Sequence, residues 1–324
     1  MKFRRFGRTG WNVSEIGYGM WGMGGAWSGS DDAESLASLQ RAVDLGCNFF
    51  DTAWAYGSGR SEGLLGQLLR LNYGRKLYVA TKIPPKNGKW PARSEYSLDD
   101  SYPPDHIEKY VHRSRANLGG RTIDLIQFHT WDDSWTDDGR WIRAMEKLKQ
   151  QNLIRFVGIS LNRWEPWNGI RAVRSGHVDA VQVVYNIFDQ NPEDELFPAC
   201  REYDVAVIAR VPFDEGSLTG TLTADTAWPK GDWRNLYFTP DYLKESVARA
   251  DALKPLLRDA MTLPEMALRF ILNNSDVATT IPGMRKRAHV EANLAASDRG
   301  PLPAALHAEL RKHRWDRAST RSAP

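Results

Sequence analysis

The chain has 324 residues, of which 42% are hydrophobic and 26% charged, and a formal net charge of +3. That makeup belongs to a globular protein and excludes collagen-like, coiled-coil and wholly disordered chains. So mild a charge gives no reason to expect a nucleic acid or a membrane surface as partner. Two cysteines, Cys47 and Cys200, are too few for a disulfide framework and fit a reducing compartment. The charged first residues lead into no apolar run, and no stretch reaches the ~18 apolar residues of a membrane span. A cytoplasmic protein with a small-molecule partner is expected. The unusual count is 13 tryptophans, which raises the question of an aromatic-lined pocket.

In chain order, the segments 2–8 and 11–14 flank Thr9-Gly10 and read as a β-hairpin, a plug for the floor of whatever follows. Beyond it, short apolar runs alternate with segments of helical periodicity. Strands are expected at 16–20, 48–51, 78–81, 124–128, 156–160, 180–183, 206–209 and 278–281. Helices are expected at 31–45, 61–69, 104–117, 140–150, 165–175, 193–202, 264–273 and 285–296. Asp31 and Asp32 cap the first helix, Leu45-Gly46 ends it, and Pro104 and Pro264 take first-turn positions. Eight strands alternating with eight helices define a single (β/α)8 TIM barrel with an N-terminal β-hairpin, spanning 1–324 with a polar tail from about 312. A doubly wound sheet is the alternative, but Gly17-Tyr18-Gly19 and Gly22-Met23-Gly24-Gly25 lack the G-x-G-x-x-G spacing between strand and helix. Residues 213–241 carry no clear period and form a long loop of the kind that serves function.

Barrel active sites lie at the C-terminal strand ends. Asp51 and Tyr56 follow the second strand, Lys82 ends the third and His129 the fourth. Singly, each has a structural explanation: a cap, a packing ring, a solvated charge, a core histidine. Together they make a reaction centre. A neighbouring lysine ammonium lowers a phenol's pKa, Asp51 would hold Lys82 in place, and His129 could orient a carbonyl oxygen. Tyr56 would then be a general acid for carbonyl reduction and a base in reverse.

The run Asp51-Thr-Ala-x-Ala-Tyr56-Gly-x-Gly-x-Ser61-Glu62-x-x-Leu-Gly66, with Lys82 and His129 on the next two strands, resembles the signature of the aldo-keto reductase superfamily. The resemblance extends from Gly17 to Asn293. It implies a (β/α)8 barrel, NADP(H) bound without a Rossmann fold, with NAD(H) an alternative, and catalytic roles for Asp51, Tyr56, Lys82 and His129. It further implies that Ser160, Asn162 and Gln182 contact the nicotinamide carboxamide and that Tyr185-Asn186 flanks the ring. Arg210, Pro212, Phe213, Gly216 and Leu218 would wrap the pyrophosphate. Gly283, Arg285, Lys286, Arg287, His289 and Asn293 would form the adenosine end. A helix N-terminus with a basic trio suits a 2′-phosphate on physical grounds as well. Asp214 and Glu215 depart from the pattern, because carboxylates repel a diphosphate unless they are paired.

On the substrate side, Trp21, Trp27, Trp54 and Trp131 follow strands one, two and four and suggest an aromatic cleft for a keto-sugar, a steroid-like skeleton or an aryl group, with Trp228 and Trp233 on the long loop above it. Some relatives of this family serve as cofactor-sensing accessory subunits, and that is the rival reading; an intact Asp–Tyr–Lys–His set speaks against it. No ligand spacing marks a metal site, which leaves a metal hydrolase without support. An aldolase using Lys82 as a Schiff base is the remaining rival.

Overall fold

The computed structural model describes residues 1–25 and 31–317. Strands β1 (Phe3–Phe6) and β2 (Trp11–Ser14) pair antiparallel as the expected hairpin. Eight further strands form one parallel sheet in chain order: β3 (Tyr18–Gly19), β4 (Phe49–Asp51), β5 (Tyr78–Ile83), β6 (Ile123–Phe128), β7 (Ile154–Ser160), β8 (Ala180–Val184), β9 (Ala206–Arg210) and β10 (Val277–Thr280). The sheet curls until its edges meet. Gly17 N–H donates to Thr280 O at 2.8 Å, Thr280 N–H to Glu15 O at 3.0 Å and Gly19 N–H to Pro282 O at 3.0 Å. The architecture is the (β/α)8 barrel read from the sequence, and all eight strands lie where periodicity put them.

The hairpin seals the barrel floor. Phe6, Trp11 and Val13 are buried in one cluster with Phe49, Leu125 and Ile208. Trp11 stacks on Tyr78 at 4.6 Å between ring centroids and meets Phe156 edge-on at 5.0 Å. Arg8 fastens the plug by donating to Asp179 at 2.9 Å. With one end closed by apolar side chains, polar chemistry is confined to the other.

Helix ends follow the capping logic: Asp31 accepts from Ala33 N–H at 2.8 Å. The segment 165–175 departs from expectation, being helical only over Ile170–Ser175. Trp164 is held at φ +62°, and Glu165 accepts from Asn162 and Asn168 at 2.8 and 3.3 Å, so local side-chain bonds replace the first helical turn. Two long helices were not anticipated, Pro240–Leu253 and Ala304–Arg311, nor were the single turns Leu98–Ser101 and Arg234–Tyr237, the latter inside the segment 213–241. The first buries only Leu243, Ser246, Ala250 and Leu253, a stripe too thin and too polar to give a strong period. The tail is docked further than expected: Trp315 N–H donates to Phe188 O at 2.8 Å. No helix among the described residues is long and apolar enough to cross a membrane.

Candidate active site

Asp51 closes β4, Lys82 lies near the end of β5 and pairs in register with Gln127 on β6, and Gln182 sits on β8. All four side chains turn into the barrel beneath its mouth. Lys82 Nζ donates to Asp51 Oδ1 at 2.6 Å and to Thr52 O at 2.8 Å, and lies 3.4 Å from Tyr56 Oη. The second Asp51 oxygen accepts from Gln182 Nε2 at 2.8 Å and Gln127 Nε2 at 3.2 Å. Burial alone would push the Lys82 ammonium down. The Asp51 carboxylate and the Tyr56 oxygen outweigh that, and the group stays above its usual value.

Tyr56 is half-buried, with its hydroxyl turned inward to Lys82. Its position depends on two glycines. Gly57 has φ +68°, and a Cβ there would lie 2.2 Å from Gly24 O; a Cβ on Gly24 would lie 2.7 Å from the Tyr56 carbonyl carbon. The chain after β3 therefore presses directly on the Tyr56 backbone. Ser61 and Glu62 are scaffold. Ser61 Oγ is 2.8 Å from Thr52 Oγ1, and buried Glu62 accepts from Thr81 at 2.6 Å and Asn117 at 2.8 Å. Burial pushes the Tyr56 phenol above its usual value, and Lys82 only partly offsets the shift. The sequence argument that Lys82 lowers this pKa has the right sign for the lysine alone and the wrong sign for the sum.

His129 follows β6 and meets the Tyr56 ring nearly edge-on at 5.5 Å. Trp90 meets it on another side at 4.5 Å. Burial, Lys82 and Arg210 hold the imidazole well below its usual value, so it is neutral at physiological pH. Among the described residues, His129 Nδ1 and Arg210 Nε have no hydrogen-bond partner. Two buried polar atoms without partners at a barrel mouth mark a place where a polar ligand is awaited.

The residues assigned to the cofactor fall into distinct groups. Ser160 ends β7 beside Gln182, whose amide N–H donates to Asp51. Asn162 spends its amide elsewhere: Oδ1 accepts from Ala92 N–H at 3.0 Å, and Nδ2 donates to Ala92 O at 2.9 Å and to Glu165. Arg210 donates to Leu161 O at 3.0 Å, and burial, then Arg163, push its pKa down to about 10. Pro212 is buried and Phe213 half-buried, and Gly216 has φ +118°. Leu218 belongs to the core. Val211, Asp214 and Glu215 all have φ between +46° and +58°, a conformation that costs roughly 1–3 kcal/mol per non-glycine residue and persists only where neighbours impose it.

At the adenosine end, Gly283 bridges Gly19, and the helix Arg287–Arg299 starts without a side-chain cap. Arg285 lies across Gly22. Lys286 and Arg287 are exposed and form no ion pair among the described residues. Burial and the charges of Lys286 and Arg285 lower the His289 pKa, and Asn293 is buried on the same helix. Cations gathered at an uncapped helix start oppose its dipole, and a bound anion reconciles the two. The charge of these residues is compatible with the phosphates of a nicotinamide dinucleotide.

Several expectations are corrected. Tyr185 does not flank the mouth: it is fully buried, its ring packed on Phe197 and Phe270 at 5.0 and 6.0 Å and its hydroxyl 2.5 Å from Glu193. Its strand ends one residue earlier, and Tyr185 turns into the helix layer. Trp131 is likewise core, inside a cluster with Phe128, Trp135 and Trp141. Trp54 lies at the rim, edge-on to Tyr110 at 4.7 Å. Trp21 is exposed at the mouth and touches Trp233 of the long loop at 4.8 Å; Trp228 stacks on Phe238 at 5.3 Å. Trp27 lies outside the described residues. The carboxylates that troubled the pyrophosphate loop are paired, Asp214 with Arg317 at 2.7 Å and Glu215 with Arg163 at 2.6 Å. Sequence reasoning missed Trp90, although following the loop after Lys82 to its end would have found it.

The family model described as "Aldo/keto reductase family" matches residues 15–314. The chain belongs to the aldo-keto reductase family. It is 31% identical to "Aldo-keto reductase yakc [NADP(+)]" of Schizosaccharomyces pombe over 88% of this chain and 84% of that one. It is 29% identical to the "NADH-specific methylglyoxal reductase" of Escherichia coli over 91% and 93%. A holo-form aldo-keto reductase from Bacillus halodurans superposes with a TM-score of 0.76, at 26% identity and full coverage of both chains.

Proposed function

We propose that this oxidoreductase reduces an aldehyde or ketone carbonyl to an alcohol, reversibly, with NADP(H) as preferred cofactor and Tyr56 as proton donor. The observation that carries the reading is the buried chain Asp51–Lys82–Tyr56, at 2.6 and 3.4 Å, with a neutral His129 beside the phenol. A reduced nicotinamide, when bound, supplies the hydride. The Tyr56 hydroxyl gives its proton to the carbonyl oxygen as charge gathers there, and the Lys82 ammonium stabilises the phenolate left behind. His129 donates a hydrogen bond to that oxygen and orients it. Asp51 keeps Lys82 charged and fixed. In the oxidation direction the Tyr56 phenolate takes the alcohol proton.

Arg285, Lys286 and Arg287 would hold the 2′-phosphate. The relatives divide on this point, one being named for NADP(+) and another for NADH. Trp21, Trp54 and Trp90 around the mouth favour a ring-bearing carbonyl such as a keto-sugar, a steroid-like or an aryl compound. Cys47 and Cys200 are buried free thiols, with pKa values pushed up by burial to about 11 and about 12, which suits a cytoplasmic protein. The test is titration of the protein with NADPH and with NADH, followed by tryptophan fluorescence, and then a panel of aldehydes, ring ketones and keto-sugars. Tight NADPH binding with turnover of a ring carbonyl supports the reading. Binding of neither nucleotide overturns it.

A further inference from the structure

Arg317 follows the helix Ala304–Arg311 and is buried, its side chain 3% exposed. Its Nη2 lies 2.7 Å from Asp189 Oδ2 and 2.7 Å from Asp214 Oδ1. Its Nη1 reaches Tyr242 Oη at 2.5 Å and Tyr237 Oη at 3.2 Å. Asp189 follows β8, Asp214 follows β9, and the tyrosines belong to the segment after that. One guanidinium thus joins three stretches of chain above the C-terminal ends of the strands.

The contacts converge on the strained turn. Asp214 is itself one of the left-handed residues, and its other oxygen accepts from Ser217 Oγ at 2.6 Å. Asn186 Nδ2 donates to Asp189 Oδ2 at 2.9 Å and to Val211 O at 3.0 Å, so left-handed Val211 is tied to the same cation through one amide. Glu215, the third such residue, is held by Arg163. Without Arg317, two buried carboxylates would face each other and lose their contacting cation, leaving only Arg163, which is itself paired with Glu215, to offset them; swinging the turn out toward water relieves the repulsion.

We infer that Arg317 is a positioning residue of the cofactor site: it clasps residues 211–216 in the shape that receives the cofactor's diphosphate. Residues 312–317, which follow the helix Ala304–Arg311, then support the binding site through Arg317. Arg317 touches Asp189, Asp214 and the two tyrosines, and acts on the cofactor only through them. The inference rests on the dinucleotide reading above and goes beyond it by assigning the clasp.

The test compares wild type with Arg317→Met, Arg317→Lys and Asp214→Asn in two measurements. Limited proteolysis without nucleotide reads the clasp alone. Titrations with NADPH and with adenosine 2′,5′-bisphosphate, which lacks the diphosphate bridge, read the binding site. In Arg317→Met we expect faster cleavage within residues 211–241 and NADPH affinity weakened about tenfold or more. The bisphosphate affinity should be unchanged, and Arg317→Lys should recover part of the loss. Unchanged cleavage and NADPH affinity in a folded variant overturns the inference, as does an equal loss for both ligands. If Arg317→Met does not fold, Asp214→Asn must give the same ligand split, and its absence overturns the role. A wild type that binds no NADPH, with cleavage still accelerated in Arg317→Met, overturns the dinucleotide reading and the positioning role together but leaves the clasp standing.

Discussion

The Tyr56 hydroxyl stands 3.4 Å from the buried Lys82 ammonium. Burial keeps the phenol protonated at rest, and the lysine opposes burial by favouring the anion. For Tyr56→Phe we expect carbonyl reduction to fall by about 10²–10⁴-fold, the usual worth of a positioned acid. NADPH affinity should be unchanged, because only one oxygen is lost. Steady-state rates and fluorescence titration check this; wild-type turnover in the variant would remove Tyr56 from the reaction.

Lys82 and Asp51 form a fully buried ion pair. Lys82→Met leaves the Asp51 carboxylate facing two glutamine amides and no cation. We expect a loss of about 3–5 kcal/mol in stability by denaturant unfolding, together with loss of turnover. The double variant Lys82→Met/Asp51→Leu should recover much of the stability and none of the activity.

pH dependence follows from His129 and Tyr56. The folded protein holds His129 well below its usual value, whereas the unfolded chain takes up that proton near pH ~6.5. The stability His129 contributes is therefore present above about pH 6.5 and is lost as pH falls below it. Tyr56 is shifted upward, so its contribution is lost as pH rises above ~10. Between those limits neither group ionises, and kcat/KM for carbonyl reduction should be level. A pH–rate profile with an inflection near 6.5 that vanishes in His129→Gln would contradict the neutral imidazole.

The basic helix start makes a clean comparison. Replacing Arg285 and Arg287 by alanine should weaken NADPH far more than NADH, by about tenfold or more for the pair of charges. Equal losses for the two nucleotides, measured by titration, would refute contact with a 2′-phosphate.

Trp131 separates core from pocket. Because it is buried among Phe128, Trp135 and Trp141, Trp131→Ala should cost about 3–5 kcal/mol of stability. The KM for a ring carbonyl should be unaffected. Trp90→Ala should do the reverse, raising that KM with little effect on unfolding.

The alternation of apolar runs with helical periods determined the barrel, the hairpin and the strand ends carrying Asp51, Lys82 and His129. Those are properties of short windows: a buried strand must be apolar, and parallel order puts successive strand ends at one mouth. Which way a side chain turns beyond a strand end is not such a property. Tyr185 and Trp131 lie within three residues of strand ends, as His129 does, yet both rotate into the helix layer because aromatic partners wait there. The sign of the Tyr56 shift also needed the fold, since burial and Lys82 oppose each other and only distance and depth decide between them. The pairing of Asp214 with Arg317 spans about a hundred residues of chain. No local pattern announces a guanidinium that far away, and the close packing of three loops alone brought it to the carboxylate.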